Sequence, residues 1–112
     1  MVNVLFVCSR NQWRSPTAEE IFKNQSTFSV RSAGTSPRAR IKISEKLVHW
    51  ADLIFVMEKK HREILKAWFL SLGAEKQIIV LNIPDEYGFM DADLVEMLKT
   101  STAPYLNQLD YH

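Results

Sequence analysis

The sequence has one cysteine, three glycines and no apolar run that approaches the roughly 20 residues needed to span a bilayer. A single cysteine cannot form an internal disulfide bond, and the early first strand leaves no room for a signal peptide. The 14 Lys and Arg oppose 13 Asp and Glu, for a net charge of +1. We therefore expect a cytoplasmic globular protein with no nucleic-acid or membrane partner.

Strand-like and helix-like apolar stretches alternate along the chain, which has no repeats, low-complexity tracts or linker. We expect residues 1–112 to form one domain, because the chain is too short for two of ordinary size. Alternating strands and helices favour an α/β fold with a parallel sheet. The pattern predicts strands at 3–7, 28–32, 53–57 and 78–83, helices at 17–23, 45–50 and 59–72, and a last helical segment kinked or restarted at Pro104.

Two of these helices carry further signals. Ser44 is placed to cap the short helix, and Gly73 is placed to end the long one. The long helix is amphipathic, and its predicted apolar stripe consists of Ile64, Leu65, Trp68, Phe69 and Leu72. The sequence therefore predicts a helix packed on the sheet through that stripe.

Cys8 and Arg14 enclose five residues between an apolar strand and a predicted helix. Backbone N–H groups of such a loop form a nest for an anion, and the helix dipole adds to the attraction. The same field favours a thiolate at Cys8, while the guanidinium of Arg14 can bind two phosphoryl oxygens. The residues between them that we expect to bind the anion are Ser9, Arg10, Asn11, Gln12 and Trp13. The spacing predicts an oxyanion site with a nucleophile at its base.

The residues after this loop strengthen a spacing that is weak by itself. Ser15 can cap the next helix or donate a hydrogen bond to the thiolate, and Pro16 fits the first helical position. Glu19 and Glu20 suit the first helical turn. An inert buried cysteine would explain none of these neighbours.

The segment VLFVCSRNQWRSPTAEEIF resembles the signature of the low-molecular-weight protein tyrosine phosphatases, in which Cys, five residues and Arg-Ser-Pro follow one another. Later segments resemble the family in the same order, so the resemblance covers most of the chain. These segments are Ser-Ala-Gly-Thr at 32–35, Ala-Arg at 39–40, the apolar strand at 51–57 that ends in Met, and the loop at 83–88.

The resemblance implies a three-layer fold with a four-stranded parallel sheet in the order 2-1-3-4. It implies a phosphomonoester hydrolase in which Cys8 forms a phosphocysteine, Arg14 holds the phosphoryl group and Asp85 is the general acid. Tyr87 matches the aromatic wall of the substrate pocket, and Asn11 the loop-stabilising asparagine. A phosphotyrosine protein or a small phosphomonoester would be the substrate, inorganic phosphate the product, and no metal or other cofactor would be needed.

The chain departs from the family pattern at several places. Glu86 stands where the family has a proline, and Trp13 where it often has a second cysteine. The segment after the second predicted strand is much shorter than in full-length relatives, so we expect a shallower, more open and more basic pocket on that side. Besides Asp85, the acids Glu86, Asp91 and Asp93 are alternatives for proton transfer, although the last two fit the start of the next helix better.

Two other functions use the same loop. One is a non-catalytic phosphate-binding or oxyanion-binding module, which needs amides and an arginine but no nucleophile. The other is arsenate reduction, which with Cys8 as the only cysteine would require an external thiol. The scattered residues His49, His61 and His112 suit structural or surface roles and not a metal site.

Overall fold

One parallel sheet and its flanking helices form the computed structural model, which describes residues 1–69 and 76–111. The elements along the chain are β1 (Val2–Cys8), α1 (Arg14–Phe22), β2 (Phe28–Gly34), α2 (Glu45–Trp50), β3 (Leu53–Val56), α3 (Lys59–Trp68), β4 (Gln77–Val80), α4 (Ala92–Leu106) and a 3-10 helix (Asn107–Tyr111). The strands are parallel and lie in the order β2-β1-β3-β4, which confirms the predicted fold.

Alternating side chains of the two central strands supply two separate apolar layers. Val4 and Phe6 of β1 belong to the larger layer, together with Phe55 of β3. Leu5 and Val7 point to the opposite face and belong to the smaller layer. All five are fully buried, because β1 and β3 are covered on both faces, and this explains their continuous apolar sequence.

Helices cover both faces of the sheet. On the larger layer, α1 contributes Ala18, while α4 contributes Leu94 and Leu98. On the smaller layer, α2 contributes Val48 and α3 contributes Leu65. Burying a leucine-sized side chain contributes about 1.5–3 kcal/mol, so these contacts hold the helices against the sheet. The carboxyl ends of the strands stay open to the loops that follow them, where ligands bind in such sheets.

The start of α1 differs from the prediction. The helix begins at Arg14, three residues early, and Trp13 is its N-cap residue instead of Ser15. Pro16 is therefore the third helical residue, and the first turn contains no acidic residue. The reason is that the last residue of the phosphate loop is also the first residue of the helix. The first five residues of α1 are all buried.

The apolar stripe of α3 is narrower than predicted. Leu65 is buried, but Trp68 has 52% of its surface exposed. The buried position one turn before Leu65 is taken by a polar residue, His61. The helix ends at Trp68. The predicted positions of Leu72 and Gly73 lie outside the described residues.

Two further predictions concern helix ends. Ser44 caps α2 as predicted, since its side chain accepts a hydrogen bond from the N–H of Leu47. Pro104 does not restart the last helix, because α4 continues through it to Leu106. Proline has no backbone N–H, so the helix loses only the hydrogen bond that residue 104 would donate to the carbonyl of Thr100. Thr100 is exposed. No helix in the described ranges is long and apolar enough to cross a membrane.

Candidate active site

The loop between β1 and α1 folds around the sulfur of Cys8, which is 3% exposed. Asn11 has a φ of 56°, the left-handed conformation that asparagine tolerates, and its backbone N–H donates to Cys8 Sγ at 3.2 Å. The hydroxyl of Ser15 lies 3.0 Å from the same sulfur. The sulfur thus has two hydrogen-bonding partners, a backbone N–H and a hydroxyl.

The side chain of Asn11 donates hydrogen bonds to two serine hydroxyls. Asn11 Nδ2 donates to Ser15 Oγ at 2.8 Å and to Ser32 Oγ at 2.9 Å. Because Ser15 Oγ accepts this bond, its own proton is available to donate, either to Cys8 Sγ at 3.0 Å or to the carbonyl of Ala33 at 3.3 Å. Ser32 in turn donates to the carboxylate of Glu19. This network connects the phosphate loop to β2 and α1.

Arg14 is held in place by a carboxylate that the sequence analysis did not select. Its guanidinium is almost fully buried, and Nη1 donates to Glu58 Oε2 at 2.7 Å and to the carbonyl of Ile83 at 2.8 Å. Burial raises the pKa of Glu58, but the hydrogen bond and charge of Arg14 outweigh burial and lower that pKa below its ordinary value. Glu58 comes two residues after β3, the strand that lies next to β1. A carboxylate just beyond the carboxyl end of this strand was the sequence signal that could have identified Glu58 as a site residue.

Asp85 comes to the site on the loop that follows β4. The N–H of Ile83 donates to the carbonyl of Met57 at 2.9 Å, which extends the contact between the two chain segments beyond the strands. The carboxylate of Asp85 then lies 3.6 Å from Arg14, measured from Oδ1 to Nε, and is 54% exposed. The structure thus brings Asp85 to the phosphate loop, although Asp85 and Arg14 are 71 residues apart in the sequence.

The other candidate acids lie differently. Asp91 is the N-cap residue of α4, where its side chain accepts from the N–H groups of Asp93 and Leu94 at 2.8 and 3.4 Å. Asp93 stands in the first helical turn. These positions agree with the prediction that both residues begin the helix. Glu86 is exposed.

A small pocket opens above the thiol and collects most of the predicted site residues. Its lining consists of Cys8, Arg10, Gln12, Trp13, Arg14 and Asp85. Among the predicted residues outside this lining, Asn11 and Ser15 lie behind the sulfur and Ser9 contacts α3. Tyr87 is partly buried and packs against the larger apolar layer, so its role as an aromatic wall stays a prediction. The aromatic side chain in the lining is that of Trp13, which is 47% exposed.

His61 contacts the phosphate loop from behind. The N–H of Glu58 donates to His61 Nδ1 at 3.1 Å, and His61 Nε2 lies 2.9 Å from Ser9 Oγ. Since Nδ1 accepts, Nε2 carries the proton of the neutral ring and donates to Ser9. Burial, together with the charge of Arg14, lowers the pKa of His61 to about 4, so the ring is neutral near pH 7. His61 was predicted to have a structural or surface role. Its position in the sequence gives no sign of the contact with Ser9.

The loop after β2 packs directly on the phosphate loop because residue 34 is glycine. A Cβ atom at Gly34 would lie 2.5 Å from the carbonyl oxygen of Ser9. The N–H of Ser36 donates to that same carbonyl at 2.8 Å, and the N–H of Arg40 donates to the carbonyl of Arg10 at 3.0 Å. The shortened segment is therefore fixed against one side of the site.

Comparisons with known proteins agree with this geometry. The model of the family described as low molecular weight phosphotyrosine protein phosphatase matches residues 3–45. A protein-arginine-phosphatase of Bacillus subtilis (strain 168) is 28% identical over 95 residues, which cover 61% of this chain. The match spans 63% of the length of that relative.

Solved structures share the fold at low sequence identity. The YwlE arginine phosphatase from Geobacillus stearothermophilus has a TM-score of 0.75 at 19% identity, over 100% of this chain and 98% of that one. A low molecular weight protein tyrosine phosphatase from Streptococcus pyogenes has a TM-score of 0.78 at 19% identity, over 97% and 93%. The tyrosine phosphatase Wzb from Escherichia coli K30, solved with phosphate, has a TM-score of 0.76 at 18% identity, over 96% and 97%. The family model thus matches the phosphate-loop segment of this chain, and these solved structures share its overall fold.

Proposed function

We propose that the chain is a cysteine-dependent phosphomonoester hydrolase that forms a phosphocysteine. The observation that carries this proposal is the sulfur of Cys8, which has two hydrogen-bond donors and shares a pocket with Arg14 and Asp85. A module that only binds phosphate has no need of a nucleophile beside an acid. An arsenate reductase would need a second thiol from another molecule, because the chain has one cysteine.

In the first proposed step, the thiolate of Cys8 attacks phosphorus in line with the leaving oxygen. The S–P bond forms as the P–O bond breaks, and Asp85 gives its proton to the leaving oxygen. Arg14 and the loop N–H groups hold the equatorial oxygens, where negative charge develops. The bond from Glu58 to Arg14 keeps the guanidinium at this position.

In the second proposed step, water attacks the phosphorus of the phosphocysteine. Asp85, now ionised, takes a proton from that water, and the thiolate of Cys8 leaves as the S–P bond breaks. Inorganic phosphate is released, and Ser15 again donates its hydroxyl to the sulfur. The sequence of steps conserves protons and needs no cofactor.

Phosphotyrosine in a protein is the substrate class that we propose. The exposed indole of Trp13 in the pocket lining supports it, because a flat phenyl ring can stack on such a side chain. Phosphoarginine is the second candidate, favoured by the protein-arginine-phosphatase of Bacillus subtilis among the relatives; with this substrate a P–N bond would break in the first step and Asp85 would give its proton to the leaving nitrogen. Rates with otherwise identical phosphotyrosine and phosphoarginine peptides would rank the two.

Hydrolysis of para-nitrophenyl phosphate from about pH 5 to 8 without added metal tests the proposed function. We expect turnover by the unchanged protein and none by Cys8→Ser, which keeps the phosphate-binding loop but has a far weaker nucleophile. Phosphate binding by Cys8→Ser is the control for an intact loop. Turnover by Cys8→Ser, or phosphate binding without turnover by the unchanged protein, would contradict the proposal.

A further inference from the structure

Four cationic residues belong to the phosphate loop and to the segment that packs against it. We define this basic rim as Arg10 of the phosphate loop and Arg38, Arg40 and Lys42 of the segment after β2. All four residues are exposed. Within residues 1–69 and 76–111, none of them forms an ion pair with a carboxylate. In a chain of net charge +1, the rim is a local excess of positive charge without an internal partner.

Arg40 is fixed beside the pocket by two hydrogen bonds to the phosphate loop. Arg40 donates its backbone N–H to the carbonyl of Arg10 at 3.0 Å and its side-chain Nε to the carbonyl of Asn11 at 3.2 Å. The N–H of Arg38 donates to Ser36 Oγ at 3.1 Å. Because these bonds order the segment in advance, a ligand bound there loses less conformational entropy than on a free loop.

Lys42 is held by a short continuation of the sheet. The N–H of Gly34 donates to the carbonyl of Ile41 at 2.8 Å, and the N–H of Ile43 donates back to the carbonyl of Gly34 at 2.8 Å. This parallel bridge between Gly34 and Lys42 lies directly after the strand that packs on the phosphate loop. The backbone of Lys42 is thus held by the end of the strand that packs on the phosphate loop.

The two carboxylates that share a groove with Arg40 are bound by other groups, and Asp85, which lines the pocket with Arg10, lies against Arg14. Arg40 borders a groove that contains Glu19 and Glu20. Glu20 pairs with Lys23 at 2.8 Å, and Glu19 accepts the hydroxyl of Ser32. The positive potential of the rim therefore remains available to a ligand, and like-signed side chains grouped at a cleft attract anionic molecules.

We propose that the basic rim binds an acidic segment of the substrate protein, next to the phosphorylated residue. This inference rests on the phosphatase function proposed above. A protein that places its phosphate on Arg14 brings its neighbouring residues to within reach of the rim, so the two sites act on one chain. A nucleic acid fits less well, because its internal phosphates are diesters and the proposed reaction takes a phosphomonoester.

Binding to the Cys8→Ser protein tests this inference without requiring turnover. The probes are labelled phosphotyrosine and phosphoarginine peptides, each made with aspartates on both sides of the phosphoresidue and again with serines. For the phosphoresidue that binds more tightly, we expect the aspartate peptide to bind about five-fold more tightly than the serine peptide at low salt. We expect high salt to remove the difference, since exposed charges are screened.

Charge-neutral variants identify the rim as the cause. Arg38→Gln with Lys42→Gln in the Cys8→Ser background removes half of the rim charge and should clearly reduce the preference for aspartate, and because neither residue lines the pocket, binding of the phosphoryl group itself should stay intact. The matched control replaces the exposed Lys66 and Lys99 of α3 and α4 by Gln and should keep the preference, although its net charge changes equally.

Equal affinities for the two peptides, or no binding of either, would overturn the inference. An oligonucleotide of matched charge that binds more tightly than the aspartate peptide would overturn it as well, in favour of nucleic acid. These outcomes are distinct from failure of the proposed function, which is measured as para-nitrophenyl phosphate turnover by the unchanged protein. A protein that turns over this ester yet binds both peptides equally would lose only the inference.

Discussion

Gly34 determines how closely the two loops around Cys8 can approach each other. A Cβ atom there would lie 2.5 Å from the carbonyl oxygen of Ser9 and 2.7 Å from the Cβ of Ala39. Both distances are too short for carbon, and the nearest atom belongs to the backbone of the phosphate loop. The constraint at this residue is space, because the glycine has no positive φ. A side chain here would push the phosphate loop away from β2.

Gly34→Ala should therefore lower the free energy of unfolding by about 1–3 kcal/mol, the usual cost of adding a methyl group to a closely packed site. Urea unfolding measures the change. Gly88→Ala is the matched control, because a Cβ atom at Gly88 would meet nothing within 4 Å, and it should change stability by less than about 0.5 kcal/mol. Equal effects of the two substitutions would contradict the packing argument.

At the scale of elements, the first turn of α3 supports two residues of the phosphate loop. Glu58 is the N-cap residue and His61 the third helical residue, and each side chain bonds the backbone of the other. The same two side chains reach Arg14 and Ser9. One helix start thus serves as a capping box and as the back wall of the site.

His61 should make stability depend on pH. Burial lowers the pKa of His61 from 6.5 to about 4 in the folded protein. The charges of Arg14 and Lys60 lower it further, and those of Glu58 and Asp85 raise it. Between these values the unfolded chain binds more protons, so stability is complete above about pH 6.5 and falls as the pH is lowered to 4, by roughly 3 kcal/mol in total.

Urea unfolding at several pH values between about 4 and 7 measures the slope of the unfolding free energy against pH. His61→Gln removes the titrating group and should flatten the slope, even though the variant is less stable overall. His49→Gln, at an exposed histidine, should leave the slope unchanged. A slope that is the same in all three proteins would show that other groups cause the pH dependence.

At the scale of the whole molecule, the parallel sheet brings distant residues together at one edge. Cys8 ends β1, Glu58 follows β3 and Asp85 follows β4. Because β1 and β3 are neighbours and β4 lies beside β3, the three loops meet at Arg14. The two apolar layers on the faces of the sheet hold this edge in position.

Much of this arrangement could be predicted from local sequence. The apolar runs of β1 and β3 indicate buried central strands, and the loop from Cys8 to Arg14 indicates an anion site. The strand order came from the family resemblance, because local patterns do not determine which strands are neighbours. The predicted start of α1 was wrong, because Arg14 belongs to both the phosphate loop and the helix and no local sequence signal marks that overlap.

The missed residues act through contacts between distant segments. Glu58 follows an ordinary strand, and His61 occupies an apolar position of an amphipathic helix, so neither differs locally from a structural residue. Their roles arise from contacts with Arg14 and Ser9, 44 and 52 residues away. Trp68 was wrongly assigned to the buried stripe, because periodicity indicates a helix face but not where the covering layer ends.

The central claim, a phosphocysteine formed at Cys8 and resolved with Asp85, is tested most directly by trapping the intermediate. Asp85→Asn removes the base of the second step, while para-nitrophenolate leaves readily without an acid, so the phosphocysteine should accumulate. Mass spectrometry after a denaturing quench should find one phosphoryl group on the peptide that contains Cys8. Turnover by Asp85→Asn with an unmodified Cys8, or a phosphoryl group on another residue, would contradict the account.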